Sequence, residues 1–125
     1  MTRSASLAPR SPLVDGIARV FLGLVFLHAL LGKLTGFEAV AARIAAKGLP
    51  FPSLLLGAAV LLLAVGSLLL ISGWKRRLGA VLLLVFLIPT TVIFHGAVAE
   101  LPERIQLLKN LAIIGGLLLV ANQSD

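Results

Sequence analysis

The sequence predicts an all-α membrane protein, a four-transmembrane-helix antiparallel bundle with a short interfacial amphipathic helix between spans one and two. Three observations carry that expectation. Hydrophobic residues make up 59% of the chain and charged residues 13%, with a mean hydropathy of +1.09, values that would leave a soluble domain of this size covered in apolar patches. Four apolar stretches, at about 17–34, 52–72, 78–97 and 105–121, each approach the roughly 20 residues needed to cross a hydrocarbon layer of about 30 Å. The charges gather at the ends of those stretches and between them, as the cost of a cation in lipid requires. Four crossings use most of the 125 residues, so residues 1–125 read as one transmembrane domain.

The composition also excludes. With no cysteine, the chain can neither form a disulfide nor ligate an iron–sulfur cluster or a thiolate-bound metal. Any redox chemistry must therefore sit on a bound organic molecule or on a partner, with no covalently bound cofactor. A net charge of +6 would suggest nucleic acid in a soluble chain. Here the basic residues flank apolar spans, where they set topology and meet lipid phosphates, so no nucleic-acid partner is expected.

Residues 1–12 are rich in Ser, Ala and Pro, hold Arg3 and Arg10, and contain no acid; they read as a disordered cytoplasmic tail. Span one has Arg19 and Lys33 near its ends, and Arg19, Gly23, Phe26, Leu30 and Lys33 fall on one stripe. His28 lies about 140° around the helix from Lys33 and is expected to face a second helix, uncharged. From Phe37 to Phe51 the chain is amphipathic, with Phe37, Val40, Ala41, Ile44 and Ala45 set against Glu38, Arg43 and Lys47, a pattern suited to the membrane surface. Gly48, Pro50 and Pro52 end that helix and return the chain to the bilayer.

Span two carries no charge, and Gly57, Ala58, Gly66 and Ser67 allow close helix approach. The connection from Gly73 through Trp74 to Lys75, Arg76 and Arg77 is tight and basic. By the positive-inside rule it lies in the cytoplasm, with both termini, and the amphipathic loop lies outside. In span three, Pro89 frees a carbonyl one turn earlier, which neighbouring Thr hydroxyls can help satisfy. Thr91 and His95, four apart, share a face. In span four, Gln106, Lys109 and Asn110 recur at three and four residues and so share a face, followed by the Gly115–Gly116 pair. Gly23, Gly66, Gly115 and Gly116 are the expected helix-packing positions.

An up-down bundle brings the end of span one, the end of span three and the start of span four to one membrane face. Lys33, Thr91, His95, Gln106, Lys109 and Asn110 then share a level. Polar groups over an apolar floor form a pocket suited to a flat ring with carbonyl oxygens and an isoprenoid tail, a quinone. The purely structural reading stands beside it: Lys33 and Lys109 snorkel to headgroups or pair with Glu100 and Glu103, while His95 and Asn110 tie helices together. No metal is expected, because the two histidines sit on different helix faces and no acid lies within a span. No Ser, His and acid set falls at one level, so no catalytic residue can be named.

These residues resemble the DoxX-like family of small four-helix bacterial membrane proteins, over nearly the whole chain from Arg19 to Ala121. The resemblance rests on Arg19, Gly23, Phe26, Leu27, Lys33 and Leu34 in span one and on Gly48, Pro50 and Pro52 in the turn. It continues in Gly73 with Arg77, His95 in PTTVIFH, and Gln106 with KNLAIIGGLLLV. It departs at Leu62 and Leu63, where members often carry an intramembrane glutamate, and at Leu30, where they have glycine. The resemblance implies an inner-membrane protein; some members are subunits of quinone-linked oxidoreductases acting on sulfur compounds, and others serve oxidative-stress defence. The expectation is thus an accessory subunit that binds a quinone headgroup at the polar end of the bundle beside a partner oxidoreductase subunit or a second copy. The missing glutamate favours the alternative, a non-catalytic scaffold.

Overall fold

A computed structural model describes residues 11–94 and 101–123. Five helices account for nearly all of them: α1 Pro12–Thr35, α2 Phe37–Ala46, α3 Pro52–Ser72, α4 Arg76–Phe94 and α5 Leu101–Ala121. Four are long and apolar enough to cross a membrane, and α2 is the short helix between the first two. The all-α membrane bundle is therefore the fold. The expected tail falls mostly outside the described residues, as do residues 95–97 of the third span.

The first span opens at Pro12, five residues before the expected boundary at Ile17. The side chain of Ser11 accepts the Val14 N–H at 3.3 Å, Pro12 occupies the first turn and Asp15 follows in it. A Ser cap, an early Pro and an early acid are strong start signals. They outweigh the polarity of Asp15, because Asp15 does not meet lipid as a free charge. It holds Arg19, whose Nε lies 3.0 Å from Asp15 Oδ2.

Helix α3 is the centre of the arrangement, against α4 on one side and α1 on the other; α5 lies on α4 and meets α1 only narrowly. Glycines set these approaches. A Cβ at Gly66 would meet Leu83 at 2.8 Å and the Gly79 carbonyl at 3.2 Å, and one at Gly79 would meet the Gly66 carbonyl at 2.8 Å. The α3 and α4 backbones thus touch, the close approach that small residues permit in lipid. A Cβ at Gly23 would collide with Ile71, and one at Gly116 would come within 3.2 Å of Leu22. Around these contacts Phe26, Leu63, Leu70, Leu83, Leu87 and Leu117 form the core.

The basic end of the bundle is clamped by side chains on exposed carbonyls. Arg19 donates from a terminal guanidinium nitrogen to the Leu70 carbonyl at 2.9 Å and to that of Ile71 at 3.3 Å, satisfying the C-terminus of α3. Gly73 ends α3 at φ +82, and a Cβ there would lie 2.8 Å from the guanidinium. Gln123 donates to Asp15 Oδ1 at 3.2 Å, and Arg77 donates to the Ala121 carbonyl at 3.0 Å. Both cations, Arg19 and Arg77, flank apolar spans, where basic residues set topology, and here they cap helices as well.

Arg19→Met removes the fork and leaves Asp15 with the Gln123 hydrogen bond alone, a loss of about 2 kcal/mol. The thermal midpoint of the detergent-solubilised protein should fall well below wild type, with Arg19→Lys recovering only part because a single ammonium cannot reproduce the fork. An unchanged midpoint in Arg19→Met would show that the clamp does not hold the bundle.

Candidate functional site

At the other end of the molecule α2 lies across the groove between α1, α3 and α4. Its sequence explains why: Phe37, Val40, Ala41 and Ile44 recur at three and four residues, and Ile44 is buried at 8% exposure. Lys47, near the far end, places Nζ 5.7 Å from the Phe94 ring centroid, a cation–π contact that ties α2 to α4.

Beneath α2 is a cavity of about 380 Å³, within the range of small-molecule sites. Leu55, Leu56, Ala59 and Leu62 of α3 and Val85, Phe86, Pro89 and Ile93 of α4 form its apolar walls; Lys33, Arg43 and Thr90 supply its polar groups. Leu55, Val85 and Ile93 are also exposed on the outside of the bundle, so the cavity borders the surface that faces lipid. Lys33 is half-buried, with Nζ 5.2 Å from the Phe86 ring centroid. The Thr90 hydroxyl donates to the Phe86 carbonyl at 2.7 Å. Pro89 has no N–H, so the Val85 carbonyl lacks its helical donor; both residues line the cavity.

The six residues expected to share one pocket are divided by the structure. Lys33 lines the cavity. Thr91 and Asn110 are buried together between α4 and α5, where Asn110 Nδ2 donates to Thr91 Oγ1 at 3.0 Å. Gln106 is half-buried and Lys109 is exposed; neither lines the cavity. His95 lies outside the described residues, as does Glu100. Rotation explains the division: Lys109 and Asn110 are neighbours in sequence and so about 100° apart on α5, which turns Asn110 into the bundle and Lys109 out of it.

Two further residues stand apart from the packing within the chain. His28 is exposed rather than set against a second helix, because Gly23, Phe26 and Lys33 take the inward stripe of α1. Among the described residues nothing lies within 4 Å of where a Cβ on Gly115 would stand, whereas one on Gly116 would come within 3.2 Å of Leu22. Conversely, Arg43 escaped notice as a site residue. It sits next to Ile44 and flanks the apolar face of α2, a signal visible in the sequence; what the sequence could not show is that this flank lines the same cavity as Lys33.

Residues 14–96 match the DoxX family. The chain is similar to inner membrane protein YqjF of Escherichia coli (strain K12), 32% identical over 105 residues, which cover 84% of this chain and 79% of that protein. It is similar also to inner membrane protein YphA of the same organism, 31% identical over 115 residues, 88% of this chain and 82% of that one. No solved structure matches it. The family match contains Lys33, Arg43, Phe86 and Thr90 and ends before α5, so every residue lining the cavity lies inside it and Gln106, Lys109 and Asn110 lie beyond.

A double-mutant cycle of Thr91→Val and Asn110→Leu should return a coupling energy of about 0.6 kcal/mol and at most about 1.7 kcal/mol, the span for interhelical hydrogen bonds in a membrane. Unfolding in mixed micelles measures it. Strictly additive single-variant losses would mean that the pair does not join α4 to α5.

Proposed function

The chain belongs to the DoxX family, and on that premise we propose that it is an inner-membrane accessory subunit that binds a quinone headgroup in the cavity beneath α2 for a partner oxidoreductase. The observation that carries the proposal is the cavity itself: apolar walls shared by α3 and α4, bordering lipid, with Lys33 and Arg43 as its charged groups. A quinone brings the complementary parts, an isoprenoid tail for the walls and carbonyl oxygens for the cations.

Each polar group then has a task. Lys33 and Arg43 donate to the ring carbonyls and stabilise charge that develops there on reduction. A quinol donates where a quinone accepts, and the Val85 carbonyl, without a helical donor above it, offers an acceptor on the same wall. The protein supplies binding and orientation, and the partner supplies electrons. With the basic clamp in the cytoplasm, the cavity faces the outer leaflet.

A second reading has its own observation. Thr91 and Asn110 are spent on one another, which is what a scaffold with a structural polar cluster would show. Lys109, exposed on α5, is then a headgroup contact or a contact for a partner.

Mass spectrometry of the protein gently extracted from its native membrane, scoring quinone and partner polypeptides together, separates the two. Wild type and Lys109→Met should carry about one quinone per chain, and Lys33→Met should lose it while keeping its partners. Quinone never above its level in bulk lipid, with partners retained throughout, would leave the scaffold.

A further inference from the structure

The cavity holds more positive charge than a neutral ligand calls for. Lys33 and Arg43 both line it, and among the described lining residues there is no carboxylate. Lys47 stands close by, over Phe94. Glu38, the acid of α2, does not line the cavity, and the ion pair between described residues, Arg19 with Asp15, lies at the opposite end of the bundle.

Lys33 is the more telling of the two. It is half-buried, its charged end lies over the Phe86 ring, and among the described residues it has no hydrogen-bond or ion-pair partner. A Lys near a helix end can extend its stem and put the ammonium among headgroups. Here its charged end lies over Phe86, in the lining of a cavity that a second cation, Arg43, also lines. Two like charges at the edge of a low-dielectric space repel one another, and an anion between them removes both costs.

We propose that the cavity beneath α2 is an anion seat, and that its ligand carries a negative charge on oxygen at the head of a hydrocarbon tail. This takes from the proposed function only the cavity, not the quinone. The shared chemistry is an oxyanion on an amphiphile, whether the ionised hydroxyl of a hydroxyquinone or the carboxylate of a fatty acid. Lys33, from α1, contacts it from below and Arg43, from α2, from above, the guanidinium fork suiting a delocalised pair of oxygens. Arg43 is thus the residue that reads charge.

Matched probes test this with the full chain in phosphatidylcholine nanodiscs, which offer no competing net anionic lipid. One pair is a 2-hydroxy-3-alkyl-1,4-naphthoquinone, ionised at neutral pH, and its 2-methoxy ether; the other is a long-chain fatty acid and its methyl ester. Binding is corrected for partition into empty discs. The ionised member of a pair should bind about tenfold more tightly than its neutral partner. Arg43→Gln and Lys33→Met should each erase most of that preference, and Arg43→Lys should keep much of it.

Arg43 is exposed, so Arg43→Gln should leave the fold intact, and an unchanged melting midpoint checks that. Equal binding of ionised and neutral probes, or a preference that survives both variants, overturns the anion seat. Binding of both naphthoquinones with equal strength overturns it while leaving the quinone reading in place. Selection of the fatty acid over its ester with neither naphthoquinone bound supports the anion seat and ends the quinone reading.

Discussion

Backbone contact between α3 and α4 at Gly66 and Gly79 is the constraint on which the rest of the molecule depends. Two helices that touch at a point separate on either side of it, and the chain closes one side and leaves the other open. Toward the basic end, Gly23 brings α1 against Ile71, Arg19 caps the last carbonyls of α3, and Arg77 caps α5. In the other direction Leu55 and Pro89 stand roughly 15 Å beyond the glycine contact, at 1.5 Å per residue. There the space between α3 and α4 is the cavity that α2 roofs. In lipid, where hydrophobicity does not drive helices together, such contacts decide which ends close.

The same asymmetry accounts for where charge sits. At the closed end each described cation of the clamp has an acceptor: Arg19 has Asp15 and two carbonyls, and Arg77 has the Ala121 carbonyl. Those carbonyls are the free ones at helix ends, and the side chains that cap them hold the ends of α3 and α5 in place. At the open end Lys33 and Arg43 have no such partners among the described residues. The contrast between spent and unspent cations separates structural basic residues from those available to a ligand.

Much of this was legible in the sequence and some was not, for reasons of period and depth. Hydropathy alone gave four spans, and the spacing of Phe37, Val40 and Ile44 gave the surface helix, because both patterns reflect burial that a local stretch already encodes. The helix start at Pro12 is also written locally, in Ser11, Pro12 and Asp15, whereas the apolar run by which a span is recognised begins only near Ile17. The site was legible only as a level in the membrane. Lys33, Thr91 and Asn110 do lie toward one end, yet which face each presents depends on how α4 and α5 rotate against each other. Gly79, essential to the α3 contact, had no periodic partner within its own helix to mark it.

A closed end and an open end with an amphiphile site beneath α2 make a single physical claim. Photolabelling tests it most directly: a diazirine-bearing isoprenoid amphiphile with an oxygen-rich head is activated in native membranes, and the modified residues are mapped by peptide sequencing. Adducts on Val40, Leu55, Phe86 and Ile93, lost on competition with the unlabelled compound, are the expected result. Competable adducts confined to the outer face of α5 around Lys109 and Gly115, with none beneath α2, would contradict it.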